Sequence, residues 1–347
     1  MNPTDYGFYM PPEWAPHSRT IMEWPTPDAG WPEPFPAILP AYTEVVRTIA
    51  QFEPVTLIAN PELLAEARVH CGEFAAVLPL EHNDSWARDN GPTFVVNGQG
   101  QIAGINWIFN AWGGKFPFEK DNRIAPRLLA HFGVACFDAP LVMEGGSLHV
   151  DGEGTLLTTE ECLLNPNRNP QLTRSQIEDY LGKYLGVGRV IWLKNGWVGD
   201  DTDGHVDNVA CFAAPGKVIA QVCSDPGDPN FAVSQENLAR LRAATDARGR
   251  SLEIVTIEQP PATVYDGVRL TLSYLNFYFV NGGIVLPVFA SPRTDRAAIA
   301  TLTRLFPERR IANVDGLVVA RGGGNVHCLT QQMPLGQPAR LDIRKSL

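Results

Sequence analysis

Residues 93–105, TFVVNGQGQIAGI, align without a gap on residues 147–159, SLHVDGEGTLLTT. In both, alternating apolar residues run into Asn/Asp-Gly-x-Gly and leave through a second apolar run. Asn-Gly and Asp-Gly supply the positive φ angles of tight turns, so each stretch predicts a β-hairpin. YFVNGGIVLPVF (278–289) repeats the pattern, and NVACFAAPGKVIAQV (208–222) is a looser copy.

Working outward, each hairpin has helical sequence nearby. NPELLAEARVH (60–70) opens with Asn60 as a cap and Pro61 at the first helical position. Further helices are predicted over 121–133, 171–186, 234–249 and 295–307, with Pro126 expected to delay or kink the second. The last places Ile299, Leu302 and Leu305 on one face. A short apolar strand follows each helix: AVLPL, VACF, RVIWL, LEIVTI and RIANV. The helices start near 60, 121, 171, 234 and 295, a regular period that marks a repeat architecture. An extra helix (37–52) belongs to the N-terminal segment, whose RTIMEWP (19–25) is placed to pair with the last unit and close a ring. The predicted fold class is α/β: a five-bladed α/β propeller of ββαβ-type repeats around a central axis, one domain over residues 1–347. A two-domain α/β protein would need a linker, and no Ser/Gly-rich or charged run marks one.

Composition sets the class. The chain has 347 residues, 44% hydrophobic and 19% charged, which describes a well-packed globular protein. No apolar run approaches a membrane span and the first residues show no secretory pattern, so a cytoplasmic setting and no membrane partner are expected. A net charge of −10 speaks against nucleic acid and weakly favours a cationic ligand. The six cysteines (71, 136, 162, 211, 223 and 328) are scattered without a C-x-x-C, which suggests neither disulfides nor zinc.

The unusual residues fall in the loops between strand and hairpin. EHNDSWARDNGP holds Trp86, Arg88 and Asp89; MEGGS holds Glu144; GDDTDGHVDN holds His205 and Asp207; RGGGNVHC holds Cys328. The fourth loop, QPPATVYDGVR, breaks the pattern and offers only Asp266 as a pocket residue. Equivalent loops of a closed ring would converge at one end of its axis. Taken singly, each residue has a plain structural reading. Asp89 suits a turn, Trp86 a core, and His205 with Asp207 an exposed acidic turn, though at the start of a strand they would share a face. Glu144 is expected to be partly buried by PLVM and so to need a cationic partner. Cys328 alone among the cysteines follows a glycine run that lets backbone approach a ligand closely. Four of the others read as inert packing, with Cys71 undecided.

A thiol, a histidine and three carboxylates suit a planar cation with an electrophilic carbon. Carboxylates bind a guanidinium in bidentate fashion, a thiolate attacks its central carbon, and histidine moves protons. A cation bound beside the sulfur also favours the thiolate. MPPEWAPHSRTIMEWP, NDSWARDNGPTFVV, FNAWGGK, EGGSLHVDGEGTLLTTEECLLNPNRNP, DTDGHVDN, SYLNFYFVNGGIVLPVF and GGGNVHCLTQQMP resemble agmatine deiminases and the bacterial peptidylarginine-deiminase-like proteins grouped with them. The resemblance runs from residue 10 to 334 and implies the pentein fold, which agrees with the repeat. It implies hydrolytic deimination of a small cationic guanidino substrate, agmatine first, without metal or other cofactor. In that reading Cys328 is the nucleophile and His205 the general acid and base. Asp89 and Asp207 clamp the guanidinium, Glu144 holds His205 and the substrate nitrogens, and Trp86 flanks the substrate. Assembly into a homo-oligomer stays open.

The segment after FNAWGG is shorter than agmatine deiminases carry, so residues for the far end of the substrate do not transfer. Free or peptide-terminal arginine remains a second substrate class. An amidinotransferase, a non-catalytic pentein binding protein and a zinc hydrolase are more distant alternatives.

Overall fold

The two aligned segments fold as the two hairpins their turns predict. In the computed structural model, which describes residues 1–27, 29–31, 34–339 and 341, Thr93–Asn97 pairs antiparallel with Gln101–Ile108 and His149–Val150 with Thr155–Thr159. Asn97 and Asp151 act alike in the two turns. Asn97 Oδ1 accepts from the N–H groups of Gln99 and Gln101, both at 3.1 Å. Asp151 Oδ1 accepts from those of Glu153 at 2.7 Å and Thr155 at 2.9 Å. Gly100 (φ 72°) and Gly154 (φ 99°) take the left-handed conformation that lets each turn close.

Each hairpin then gains a parallel strand. Gln101–Ile108 runs beside Ala135–Val142 and Thr155–Thr159 beside Arg189–Leu193. Ala210–Ala214 and Lys217–Val222 are joined by Glu253–Glu258, and Tyr278–Val280 and Gly283–Val288 by Arg310–Asp315. A parallel neighbour needs a crossover, which the helices supply. They are Ile124–His131, Arg174–Leu185, Asn230–Ala243 and Pro292–Leu305.

The fifth sheet draws on both ends of the chain. Gln331–Pro334 lies antiparallel to His17–Glu23, with Gln331 opposite Ile21, and Val55–Ala59 and Ala75–Pro79 follow in parallel. The RTIMEWP segment therefore pairs where the repeat places it. Helices Leu39–Ala50 and Leu64–Cys71 connect this sheet. Five mixed sheets and a small ribbon, Val264–Tyr265 with Val268–Arg269, make an α/β fold among the described residues.

Two helix expectations shift. The α-helix expected over 121–133 starts at Ile124, after a 3-10 turn over Asp121–Arg123, and Pro126 does not break it because it lies in the first turn, where no intrahelical N–H is required of it. The helix expected over 234–249 runs over Asn230–Ala243 instead. Asp246 takes the following residues for a turn, its Oδ1 accepting from Arg248 and Arg250 N–H at 2.9 Å each. Pro292–Leu305 buries Ala298 and Leu302 and half-buries Ile299 and Leu305, as its spacing requires. Among the described residues no helix is long and apolar enough to cross a membrane.

Candidate active site

The segments that lead from the last strand of one sheet to the first of the next carry the candidate residues, and the fold brings them to one place. Gly146 is its centre. A Cβ built there would lie 2.5 Å from His205 Nδ1, 2.9 Å from Asp89 Oδ1 and 3.0 Å from Asp207 Oδ2. Two loops therefore meet over one glycine of a third, which has to lack a side chain for them to do so.

Asp89 sits in the one-turn helix Ala87–Asn90. Its Oδ1 accepts from Gly146 N–H and its Oδ2 from the Trp112 indole, both at 2.9 Å. Glu144 is fully buried, and its Oε1 accepts from Arg168 Nε at 2.6 Å. Its Oε2 faces His205 Nε2 and Cys162 Sγ, each at 3.9 Å. His205 is also fully buried, yet neither ring nitrogen has a hydrogen-bond partner among the described residues; Asp89 Oδ2 stands 3.8 Å from Nδ1. Asp207 Oδ2 accepts from His327 Nδ1 at 2.9 Å and from the Cys328 thiol at 3.5 Å, while its buried Oδ1 has no partner among the described residues. Asn276 Nδ2 donates to Cys328 Sγ at 3.1 Å.

The glycine run before Cys328 earns its composition from two tryptophans. Trp31 and Trp86 stack at 5.1 Å between ring centroids, and the chain passes against them. A Cβ at Gly322 would meet Trp31 at 2.5 Å, and one at Gly324 would meet Trp86 at 2.5 Å and Cys328 Cβ at 3.0 Å. Trp86, Asp89, Trp112 and Cys328 line a cavity of about 140 Å³ together with Asp84, Asp201 and Arg321. His205, Glu144 and Asp207 lie behind that lining.

The charges divide sharply. Burial alone would raise all three carboxyl pKa values. For Asp207 the His327, His205 and Arg88 charges overcome it and hold the group below its ordinary value, and His205 and Arg168 do the same for Glu144. For Asp89 burial prevails over the His205 charge, helped by Asp207 and Glu144, and the pKa is raised. Burial opposes an imidazolium at His205, but Asp89, Cys162 and Glu144 lift its pKa well above the ordinary imidazole value. Burial pushes the Cys328 thiol well up, and Asp207 and Asp89 push it further. The site gathers three carboxyl groups, holds unpartnered buried polar atoms among the described residues and disfavours the thiolate of Cys328. A bound cation with N–H donors would offset the negative charge, give Asp207 Oδ1 a donor and favour the thiolate.

A second buried network stands behind Asp207. Glu13 Oε1 pairs with His327 Nε2 at 2.8 Å and lies 3.4 Å from Arg88 NH1, while Glu13 Oε2 lies 3.5 Å from His149 Nε2. Those cations outweigh burial and keep the Glu13 carboxyl well below its usual range.

Every residue singled out in the sequence except Asp266 belongs to this assembly or its lining. Asp266 is exposed at the turn of the Val264–Arg269 ribbon; Val268, Arg269, Leu270 and Thr271 line the cavity instead. His205 and Asp207 share the site, but not as neighbours on a strand: Val206–Asn208 is a turn of 3-10 helix preceding the strand. Glu144 is wholly, not partly, buried. Cys162, read as packing, is buried and also touches the Glu144 carboxylate next to His205, with burial raising its thiol pKa. Cys71 is buried in the core at the end of its helix.

The sequence reading passed over Glu13, Trp112, Arg168, Asn276 and His327. Trp112 had a signal in the Asn-Ala-Trp-Gly-Gly stretch, where Ala111 and Trp112 both hold positive φ, a strain that bulky residues carry when surroundings enforce it. Glu144, Cys162 and His205 present donor atoms within 4.8 Å of one another. The Arg168 guanidinium bonded to Glu144 opposes a metal cation at that spot.

The model of the Porphyromonas-type peptidyl-arginine deiminase family matches residues 9–334. A provisionally named agmatine deiminase of Legionella pneumophila is 51% identical over 335 residues, covering 96% of this chain and 96% of its own. The agmatine deiminase of Ectopseudomonas mendocina is 43% identical over 359 residues, covering 96% and 97%. A solved structure described as the agmatine deiminase of Enterococcus faecalis catalyzing its reaction superposes with a TM-score of 0.92 at 36% identity, covering 98% of both chains. By a motif match that spans most of its length and by relatives this similar, the chain belongs to the Porphyromonas-type peptidyl-arginine deiminase family.

Proposed function

We propose that this protein is an agmatine deiminase, converting agmatine and water to N-carbamoylputrescine and ammonia. One observation carries the reading: the Cys328 sulfur lies 3.5 Å from Asp207 Oδ2, in a buried cluster where Asp207 Oδ1 has no donor among the described residues. A guanidinium supplies N–H donors and positive charge together. The relatives named as agmatine deiminases support agmatine as the cation.

In this reading Asp89 and Asp207 hold the guanidinium plane, Glu144 bonds its nitrogens and orients His205, and Trp86 covers one side. The substrate's charge offsets the carboxylates that suppress ionisation of Cys328, so with substrate bound the thiol releases its proton to solvent and the thiolate forms. The sulfur attacks the guanidinium carbon and a C–S bond forms. His205, charged before the step, gives its proton to the departing nitrogen, and the C–N bond breaks to release ammonia. A thiouronium remains on Cys328. The now neutral His205 takes a proton from water, whose oxygen attacks the same carbon; the hydroxyl proton is lost to solvent as the carbonyl forms, the C–S bond breaks and the thiolate leaves. The five sheets are read as blades of one pentein propeller, with the chain a single catalytic domain.

The test is ammonia release from agmatine, free arginine and an arginyl peptide by wild type and Cys328→Ser. Turnover of agmatine that vanishes in the variant is expected. Turnover of an arginyl substrate alone would keep the chemistry and replace the substrate, and no turnover of any guanidine would sink the reading.

A further inference from the structure

Four of the five inter-sheet loops contribute a residue already assigned a role; the loop before Tyr278 contributes none. Asn276 stands in that loop, two residues before its strand, fully buried. Its amide has no freedom of orientation. Oδ1 accepts from the N–H groups of His327 at 3.0 Å and Cys328 at 3.3 Å. Two backbone donors on one atom identify that atom as the oxygen, since an NH2 group cannot accept them. The nitrogen is then obliged to face the other way. One of its hydrogens goes to Asn208 Oδ1 at 3.0 Å, and the other points to Cys328 Sγ at 3.1 Å.

We propose that Asn276 is a catalytic residue, its side-chain N–H stabilising negative charge on the Cys328 sulfur both as the thiolate forms and as it leaves the thiouronium. This rests on Cys328 being the nucleophile. The need is clear from the neighbours: the other side chain on that sulfur is the Asp207 carboxylate at 3.5 Å, which favours the neutral thiol. The substrate cation offsets this only while it is bound beside the sulfur. That charge persists in the thiouronium and disappears only as the neutral carbamoyl product forms, so the departure of the sulfur depends more on the protein's own donor. A donor held by two backbone groups is already in place when the charge appears, and fixed donors of this kind are worth the most at a buried site.

Three proteins test it: wild type, Asn276→Ala and Asn276→Asp. Asparagine and aspartate have the same shape, and the aspartate keeps an oxygen for the two backbone N–H groups; it loses only the donor and adds charge beside the sulfur. The measurement is the rate of Cys328 alkylation by iodoacetamide against pH, mapped by mass spectrometry with Cys328→Ala as control. It needs no turnover, so it reads Asn276 even if agmatine is the wrong guanidine. The rate at pH 8 is expected to fall about tenfold in Asn276→Ala and further in Asn276→Asp, because alkylation follows the thiolate fraction. The deficit is expected to shrink as pH rises toward full ionisation. A loosened loop would instead change the rate equally at every pH, so the alanine variant decides even if the aspartate variant does not fold. An Asn276→Asp protein that matches wild type, or a deficit independent of pH, would overturn the inference. Failure of wild-type Cys328 to react at any pH would overturn it together with the nucleophile assignment.

Discussion

Gly146→Ala adds one methyl group and no charge. The backbone there is outside the left-handed region, so alanine meets no strain of its own. The new carbon would lie 2.5 Å from His205 Nδ1, about 1 Å inside an ordinary non-bonded contact, and 2.9 Å from Asp89 Oδ1. None of these atoms can retreat cheaply. Asp89 is pinned by the Trp112 indole at 2.9 Å, and His205 is fully buried with Glu144 behind it. The imidazole has to shift by most of the 1 Å deficit. A misplacement of about 1 Å at a reacting group costs on the order of 10²-fold in rate. Overpacking costs about 1–3 kcal/mol in stability, too little to unfold an ordinary domain. The expected result is a folded protein whose kcat for ammonia release drops about hundredfold. An alanine variant within threefold of wild type would show that His205 and Asp89 do not meet over Gly146 during catalysis, and the described site geometry would be wrong.

Trp112→Phe keeps the ring and removes the donor to Asp89 Oδ2, so kcat/KM is expected to fall about tenfold while thermal stability changes little. Glu13→Ala leaves His327 and Arg88 facing a lost counter-charge in a buried network. Breaking such a pair costs about 3–5 kcal/mol, read from urea midpoints at pH 7. Because the folded Glu13 pKa is depressed, its contribution is present above the unfolded carboxyl pKa and lost as pH falls, so the wild-type advantage should narrow in acid. Asp121 runs the other way: burial raises its pKa to about 7 and that of neighbouring Asp84 to about 6. A raised carboxyl pKa gives stability that is present at low pH and lost as pH rises through the folded value. Asp121→Asn should therefore gain melting temperature relative to wild type between pH 5 and 8, and a constant difference across that range would refute the assignment.

Much of this fold is legible in local sequence because its elements are fixed by local chemistry. The Asn97 and Asp151 turns, the apolar runs beside them and the recurring helices need only neighbours within a few residues. The glycines before Cys328 were readable for the same reason, as backbone that has to come close to something; that the something is the Trp31–Trp86 stack was not. Cys162 shows the limit. Its flanks are those of a packing cysteine, and only the meeting of its turn with Glu144 and His205 makes it part of the site. Asn276 and His327 show the same limit: an asparagine in an aromatic run and a histidine beside a cysteine have no distinctive spacing. Their roles depend on which oxygen accepts which backbone N–H and which carboxylate faces each ring nitrogen. Sequence by itself determined the repeat, the hairpins and the kinds of groups available. Tertiary structure decided which of them share a buried space, because charge, burial and hydrogen-bond direction depend on distances across loops more than a hundred residues apart.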